Sequence, residues 1–187
     1  MILTGNEDLR VQKTIESVKS AFHELILEKD YEKITVKELC ERARINKKTF
    51  YTYYDTLGDL LLEMQESVSG EYRERIKDYT LKDMDKLVRE FFVFSEEQGE
   101  FYEKITCGGS YLRIREQMIE RVNAERIIYP ELSGLDNEKR EIVETFISES
   151  LLSIYRKWIE SGKKLPVNDV IRITTDLLVD GVKRYTK

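Results

Sequence analysis

The sequence predicts an all-α chain, and three observations carry that expectation. Apolar residues recur at three- and four-residue spacing through most of its length. Only 2 Pro and 9 Gly occur in 187 residues, so long periodic segments run without a breaker. No segment alternates apolar and polar residues as a half-buried strand does. Hydrophobic residues at 41% and charged residues at 36% give a real core under a heavily charged surface.

The elements follow in order. Residues before about Asp8 are expected to fray. Val11, Ile15, Val18, Phe22, Leu25 and Ile26 form one stripe on a long first helix that ends near Lys29 and Asp30. His23 falls off that stripe, as an ordinary surface or boundary residue. Thr35 with Glu38 three places on is a capping box. It starts a short second helix whose apolar side is Val36, Leu39, Cys40 and Ala43. Arg44 and Ile45 must turn, because Asn46 is the next helix-start residue. The helix from Lys47 to about Tyr54 is too short to stand alone. Phe50 and Tyr54, at i and i+4, give it something to lean on. Thr56 then starts a fourth helix, with Asp59 in its first turn and Leu60, Leu61, Met64 and Val68 leading toward Tyr79.

Further helical patterns run from about Leu81 to Glu97 and through Phe101, Tyr102 and Ile105. After a break at Cys107–Ser110, another runs through Leu112, Met118 and Val122. Tyr129–Lys139 reads as a loop. The last two helices run from about Asn137 to Glu160 and from about Val167 to Tyr185. Gly162 serves as the cap that ends the first of these, and Pro166 sits in the first turn of the second.

Several functions are excluded by what is missing. No run of about 18 apolar residues is present, so no membrane span is expected. The start MILTGNEDLR lacks the basic and apolar regions of a signal peptide, and a cytoplasmic location is expected. Cys40 and Cys107 have no nearby Cys or His, so neither a metal site nor a disulfide framework is expected. With His23 as the single histidine and no phosphate loop, no catalytic residue, cofactor or enzymatic activity is expected either.

The formal net charge of −5 opposes a nucleic-acid partner, but distribution outweighs the total. Between Lys37 and Tyr54 stand five cations, Lys37, Arg42, Arg44, Lys47 and Lys48, against Glu38 and Glu41. Two short helices joined by a tight turn, after a long bracing helix, make a helix-turn-helix. In that motif the second helix enters the DNA major groove. With Phe50 and Tyr54 turned inward, Lys47, Lys48, Thr49, Tyr51, Thr52 and Tyr53 are left facing out. Lysines can serve phosphate or guanine acceptors, threonine a base or a phosphate, and tyrosine hydroxyls phosphate oxygens.

The stretch ITVKELCERARINKKTFYTYYDTLGDLL resembles the DNA-binding signature of the tetracycline-repressor (TetR) family of bacterial regulators. The likeness covers roughly the first sixty residues. It rests on the Thr35-Val36 start, Ala43 at the turn entry, Ile45-Asn46, Thr49-Phe50-Tyr51, the pair Tyr53-Tyr54 and the polar link into Leu60-Leu61. The resemblance implies an all-α homodimer. Residues 1–56 would form an N-terminal three-helix helix-turn-helix domain on a palindromic operator. Residues 57–187 would form a larger helical domain for dimerisation and ligand binding. It also implies phosphate contact at Thr35, base or backbone approach at Lys47, Lys48 and Thr49, and phosphate contact at Tyr51 and Tyr53. Lys37, Arg44, Asn46 and Thr52 complete the candidate DNA-binding set. Two positions depart from the pattern. Arg44 stands where the family has a turn glycine, which calls for a left-handed backbone or adds a phosphate contact. Leu57 stands where a lysine often meets phosphate.

In the C-terminal half the apolar stripes are too broad for one buried face. Ile142, Phe146, Leu151, Ile154 and Trp158 precede Ile173, Leu177 and Val182, and these last two helices are the expected homodimer seam. Phe91, Phe94, Phe101, Tyr102, Tyr111 and Trp158 are candidate lining for a small-molecule inducer site. The function expected is a repressor released by an apolar or amphipathic inducer. The alternative is a regulator of the same fold whose C-terminal domain answers to a protein partner.

Overall fold

In a computed structural model, the structure describes residues 8–108 and 129–185. Among these are eight α-helices and no strand. They are α1 (Leu9–Glu28), α2 (Val36–Ala43), α3 (Lys47–Tyr53), α4 (Leu57–Ile76), α5 (Met84–Glu97), α6 (Gly99–Cys107), α7 (Asn137–Glu160) and α8 (Val167–Val182). None is long and apolar enough to cross a membrane. The expected helix through Leu112, Met118 and Val122, with Tyr111, lies outside the described residues.

The chain divides into two compact units. One comprises Met1–Gly70 and Glu100–Ala124, the other Glu71–Gly99 and Glu125–Lys187. This division of packing differs from the sequence division after residue 56. The first unit's core takes in Leu60 and Leu61 of α4, and Phe101 and Ile105 of α6. Around them stand Val18, Phe22, Leu25 and Ile26 of α1 with Leu39 and Cys40 of α2 and Phe50 of α3. His23, off the α1 stripe, stacks on Phe101 with ring centroids 4.6 Å apart. Lys104 Nζ donates to the Leu27 carbonyl at 3.1 Å, meeting one of the carbonyls that the end of α1 leaves without an intrahelical partner.

In the second unit α5 packs on α8, and α7 packs on both. Its interior is aromatic. Phe92 meets Tyr155 and Trp158 with centroids 6.0 and 5.9 Å apart, inside the roughly 4.5–7 Å range of edge-to-face pairs. Arg75 sits over the Phe94 ring, 4.7 Å from its centroid, and pairs with Glu71, Glu90 and Glu97. At the end of α8, Gly181 permits a close approach. A Cβ there would stand 2.8 Å from Phe146 Cε1 of α7.

Several ends depart from expectation. Leu81–Asp83 is a 3₁₀ turn, and α5 begins at Met84. A capping box between Thr80 and Asp83 fixes that entry, with a short Asp where the usual box has Glu or Gln. Pro166 is the N-cap residue of α8, with an extended ψ of 139°, one place before the first turn. That helix stops at Val182 instead of Tyr185. Within the loop expected at Tyr129–Lys139, Pro130–Leu132 forms a 3₁₀ turn and α7 starts at Asn137.

Candidate nucleic-acid interface

The helix-turn-helix is assembled by caps and held by a few long-range bonds. The Thr35 hydroxyl accepts from Glu38 N–H at 3.2 Å and starts α2. The returning half of that capping box is not made. The Glu38 carboxylate is taken by Lys29 Nζ at 2.5 Å, which ties the end of α1 to α2. Ser17 adds a second tie by donating to the Ala43 carbonyl at 2.9 Å. Since the Thr35 oxygen only accepts here, its O–H proton is left to donate outward.

The turn is a Schellman ending without glycine. Ile45 N–H donates to the Cys40 carbonyl at 3.0 Å and Arg44 N–H to the Glu41 carbonyl at 3.3 Å. Arg44 carries the left-handed backbone this geometry needs, with φ 56° and ψ 41°. A side chain in that region costs about 1 kcal/mol relative to glycine. Arg44→Gly is therefore expected to raise the stability of the chain by about 1 kcal/mol in denaturant titration while weakening duplex binding. No rise in stability would show that the turn is unstrained.

Helix α3 starts at Asn46, whose Oδ1 accepts from Thr49 N–H at 2.8 Å and from the Thr49 hydroxyl at 3.1 Å. The Thr52 hydroxyl donates to the Lys48 carbonyl at 2.9 Å. Phe50 is fully buried and Tyr54 nearly so, which nails the inner face down. Tyr54 is the C-cap residue, one place beyond the end of the helix. Its phenol donates to Glu63 Oε1 at 3.4 Å, and Glu63, only 5% exposed, also holds Lys19 Nζ at 2.8 Å. Burial first, and the Glu63 charge second, push the Tyr54 phenol far above its usual range. This link joins α1, α4 and the end of α3. Nothing in residue spacing pointed to it, because Glu63 reads as one more charge on a helical surface.

The outer face carries Lys47, Lys48, Tyr51 and Thr52, all exposed. Tyr53 departs from the expected outward direction. It is half-buried and packs against the core, with Thr49 also half-buried beside the cap. Of the five cations counted in the sequence, two are paired. Arg42 forms a two-pronged contact with Glu28 at 2.5 and 2.8 Å, which holds that carboxyl below its usual range. Lys37 stands 3.8 Å from Glu41. Arg44, Lys47 and Lys48 are exposed and enter no ion pair among the described residues. Leu57, where a lysine would add a cation, packs against the core instead.

The aromatic set is shared between the units. Phe91, Phe94 and Trp158 belong to the second, where Tyr72 touches both phenylalanines. Phe101 and Tyr102 belong to the first, with Phe101 in its core, and Tyr111 lies outside the described residues.

A short helix with one face locked and the other cationic, set behind a glycine-type turn, defines the class: a helix-turn-helix DNA-binding regulator. The comparisons with known proteins agree. Residues 20–64 match the family described as bacterial regulatory proteins, tetR family. An 86-residue stretch is 29% identical to the uncharacterized HTH-type transcriptional regulator YxbF of Bacillus subtilis (strain 168). That match takes in 42% of this chain and spans 23% of the relative's length. Among solved structures, a TetR transcriptional regulator from Streptococcus agalactiae 2603V superposes with a TM-score of 0.60 at 21% identity, covering 90% of this chain and 95% of that one. The FadR regulator of Bacillus subtilis, solved in complex with stearoyl-CoA, gives 0.62 at 18% identity, covering 89% and 98%. Residues 20–64 thus resemble the DNA-binding part of the tetR family, and the fold is similar to that of solved TetR-family regulators.

Proposed function

We propose that the chain is a dimeric regulator that binds a roughly palindromic operator and acts as a repressor released by a small apolar or amphipathic inducer. The observation that carries the DNA-binding part is the trio Arg44, Lys47 and Lys48, exposed and in no ion pair among the described residues, on an otherwise acidic chain. Charge of this kind, clustered at the reading helix, supplies both phosphate attraction and base donors.

Lys47→Ala and Lys48→Ala are the direct test. Both side chains are exposed, so stability is expected to change by less than about 0.5 kcal/mol. The log–log salt slope of duplex binding is expected to flatten by about one for each lysine lost per protomer. Parent-like binding by a folded double variant would refute the site.

The dimer reading rests on an apolar face. Ile142 and Phe146 of α7 are 69% and 43% exposed, and Ile173 and Leu177 of α8 are 42% and 59% exposed. Each pair is spaced i, i+4, and Phe146 packs on Gly181, four places beyond Leu177. The two stripes therefore adjoin. Contiguous apolar surface across two helices is what a four-helix seam buries.

The inducer reading rests on the rings of the second unit, where Phe91, Phe94 and Trp158 contact further aromatics. Stearoyl-CoA, with which the similar FadR regulator was solved, is the amphipathic kind of molecule this reading calls for and is the first probe to try. These rings already pack on neighbouring aromatic side chains, which favours the second reading, a protein partner in place of a metabolite. Release of the duplex by a metabolite alone separates the two.

A further inference from the structure

We infer that the reading helix selects half-sites containing guanine, because its exposed face offers hydrogen-bond donors without the acceptors that adenine or cytosine require. The inference rests on the DNA-binding reading above and specifies its substrate.

Each base presents its own major-groove pattern. Guanine shows two acceptors, O6 and N7, and a lysine or arginine serves them. Adenine is read in two bonds by an amide that accepts from its amine while donating to N7, cytosine requires an acceptor such as a carboxylate, and thymine offers a donor the single acceptor O4 where guanine offers two. Asn46 is the one amide in the candidate set, so sequence alone leaves adenine open. The fold closes that option. Asn46 Oδ1 already accepts twice, from the Thr49 N–H and the Thr49 hydroxyl, so only its amine is left to face outward.

The other polar atoms point to the same chemistry. The helix has no acidic residue between Lys47 and Tyr53. On the preceding helix, Glu38 is held by Lys29 and Glu41 stands beside Lys37. The hydroxyl protons of Thr49 and Thr52 are spent inside the helix, on Asn46 and on the Lys48 carbonyl. The remaining acceptors are single hydroxyl oxygens, and none supplies the paired atoms that adenine needs. Against them stand the unpaired ammonium groups of Lys47 and Lys48, the first two residues of α3, where base edges are met in this motif.

The test is selection from a random duplex library with the full-length chain, followed by atom replacement in the enriched sequence. The expected motif is an inverted repeat with guanine in each half. Replacing that guanine by 7-deazaguanine removes N7 and leaves pairing intact. The parent is expected to lose roughly 10- to 100-fold in affinity, and the Lys47→Ala/Lys48→Ala variant less than about threefold. Half-sites without guanine, or indifference to 7-deazaguanine in the parent, would each overturn the inference while leaving DNA binding in place. If no duplex is enriched by the folded chain, the DNA-binding reading itself fails, and the inference with it.

Discussion

Phe50→Ala is expected to cost the DNA-binding unit about 3–5 kcal/mol, the range for emptying a buried phenylalanine site. Phe50 is fully buried, and its ring meets those of Tyr51 and Tyr54 with centroids 5.4 and 5.7 Å away. The helix it anchors has only seven residues, far below the length that is stable unaided in water. Its order therefore comes from this packing. Against a total stability of about 5–15 kcal/mol the loss is a large share. Denaturant titration should show the drop, and duplex binding should fall with it. The contrast with Lys48→Ala is informative, since that variant should bind poorly while remaining as stable as the parent. A Phe50→Ala chain within 1 kcal/mol of the parent that still binds the operator would mean that α3 is held by something other than its buried ring.

Leu177→Glu is expected to produce a folded monomer. Leu177 is 59% exposed in the single chain, so the substitution removes little packing there. At a two-fold seam it would bring two carboxylates into an apolar interface. Burying unpaired charge costs several kcal/mol, and about 3 kcal/mol already raises a dissociation constant more than a hundredfold. Sedimentation across a range of concentrations reads this directly. Operator affinity should fall as well, because a monomer engages one half-site and loses the gain from linking two. If Leu177→Glu dimerises like the parent, the seam lies elsewhere.

How far each feature was legible depends on the range of the interaction behind it. Asn46, Thr56 and Thr35 were readable as helix starts, because a cap joins atoms two or three residues apart. Arg44 at a glycine position was legible only through the family resemblance, and its left-handed backbone follows from the local bond pattern. The limits of short-range reading show at Glu38. Its spacing from Thr35 allows a reciprocal cap, but Lys29, nine residues away, takes the carboxylate. At Tyr53 the helical wheel points outward, yet the neighbouring core draws the ring in.

The sequence by itself determined the helices, their order, and the short cationic helix behind a tight turn. Periodicity, caps and glycine-type turns are near-neighbour physics, and one chain contains all of it. Only the tertiary structure decided which charges and acceptors remain free. Glu28 meets Arg42 across fourteen residues, and Lys104 reaches Leu27 across seventy-seven. The joining of α6 to the first unit's core is of the same kind. Partners so far apart in the chain leave no periodic trace, since ion pairing and burial depend on distance in space. The free donors of the reading helix are what remains after those pairings are made.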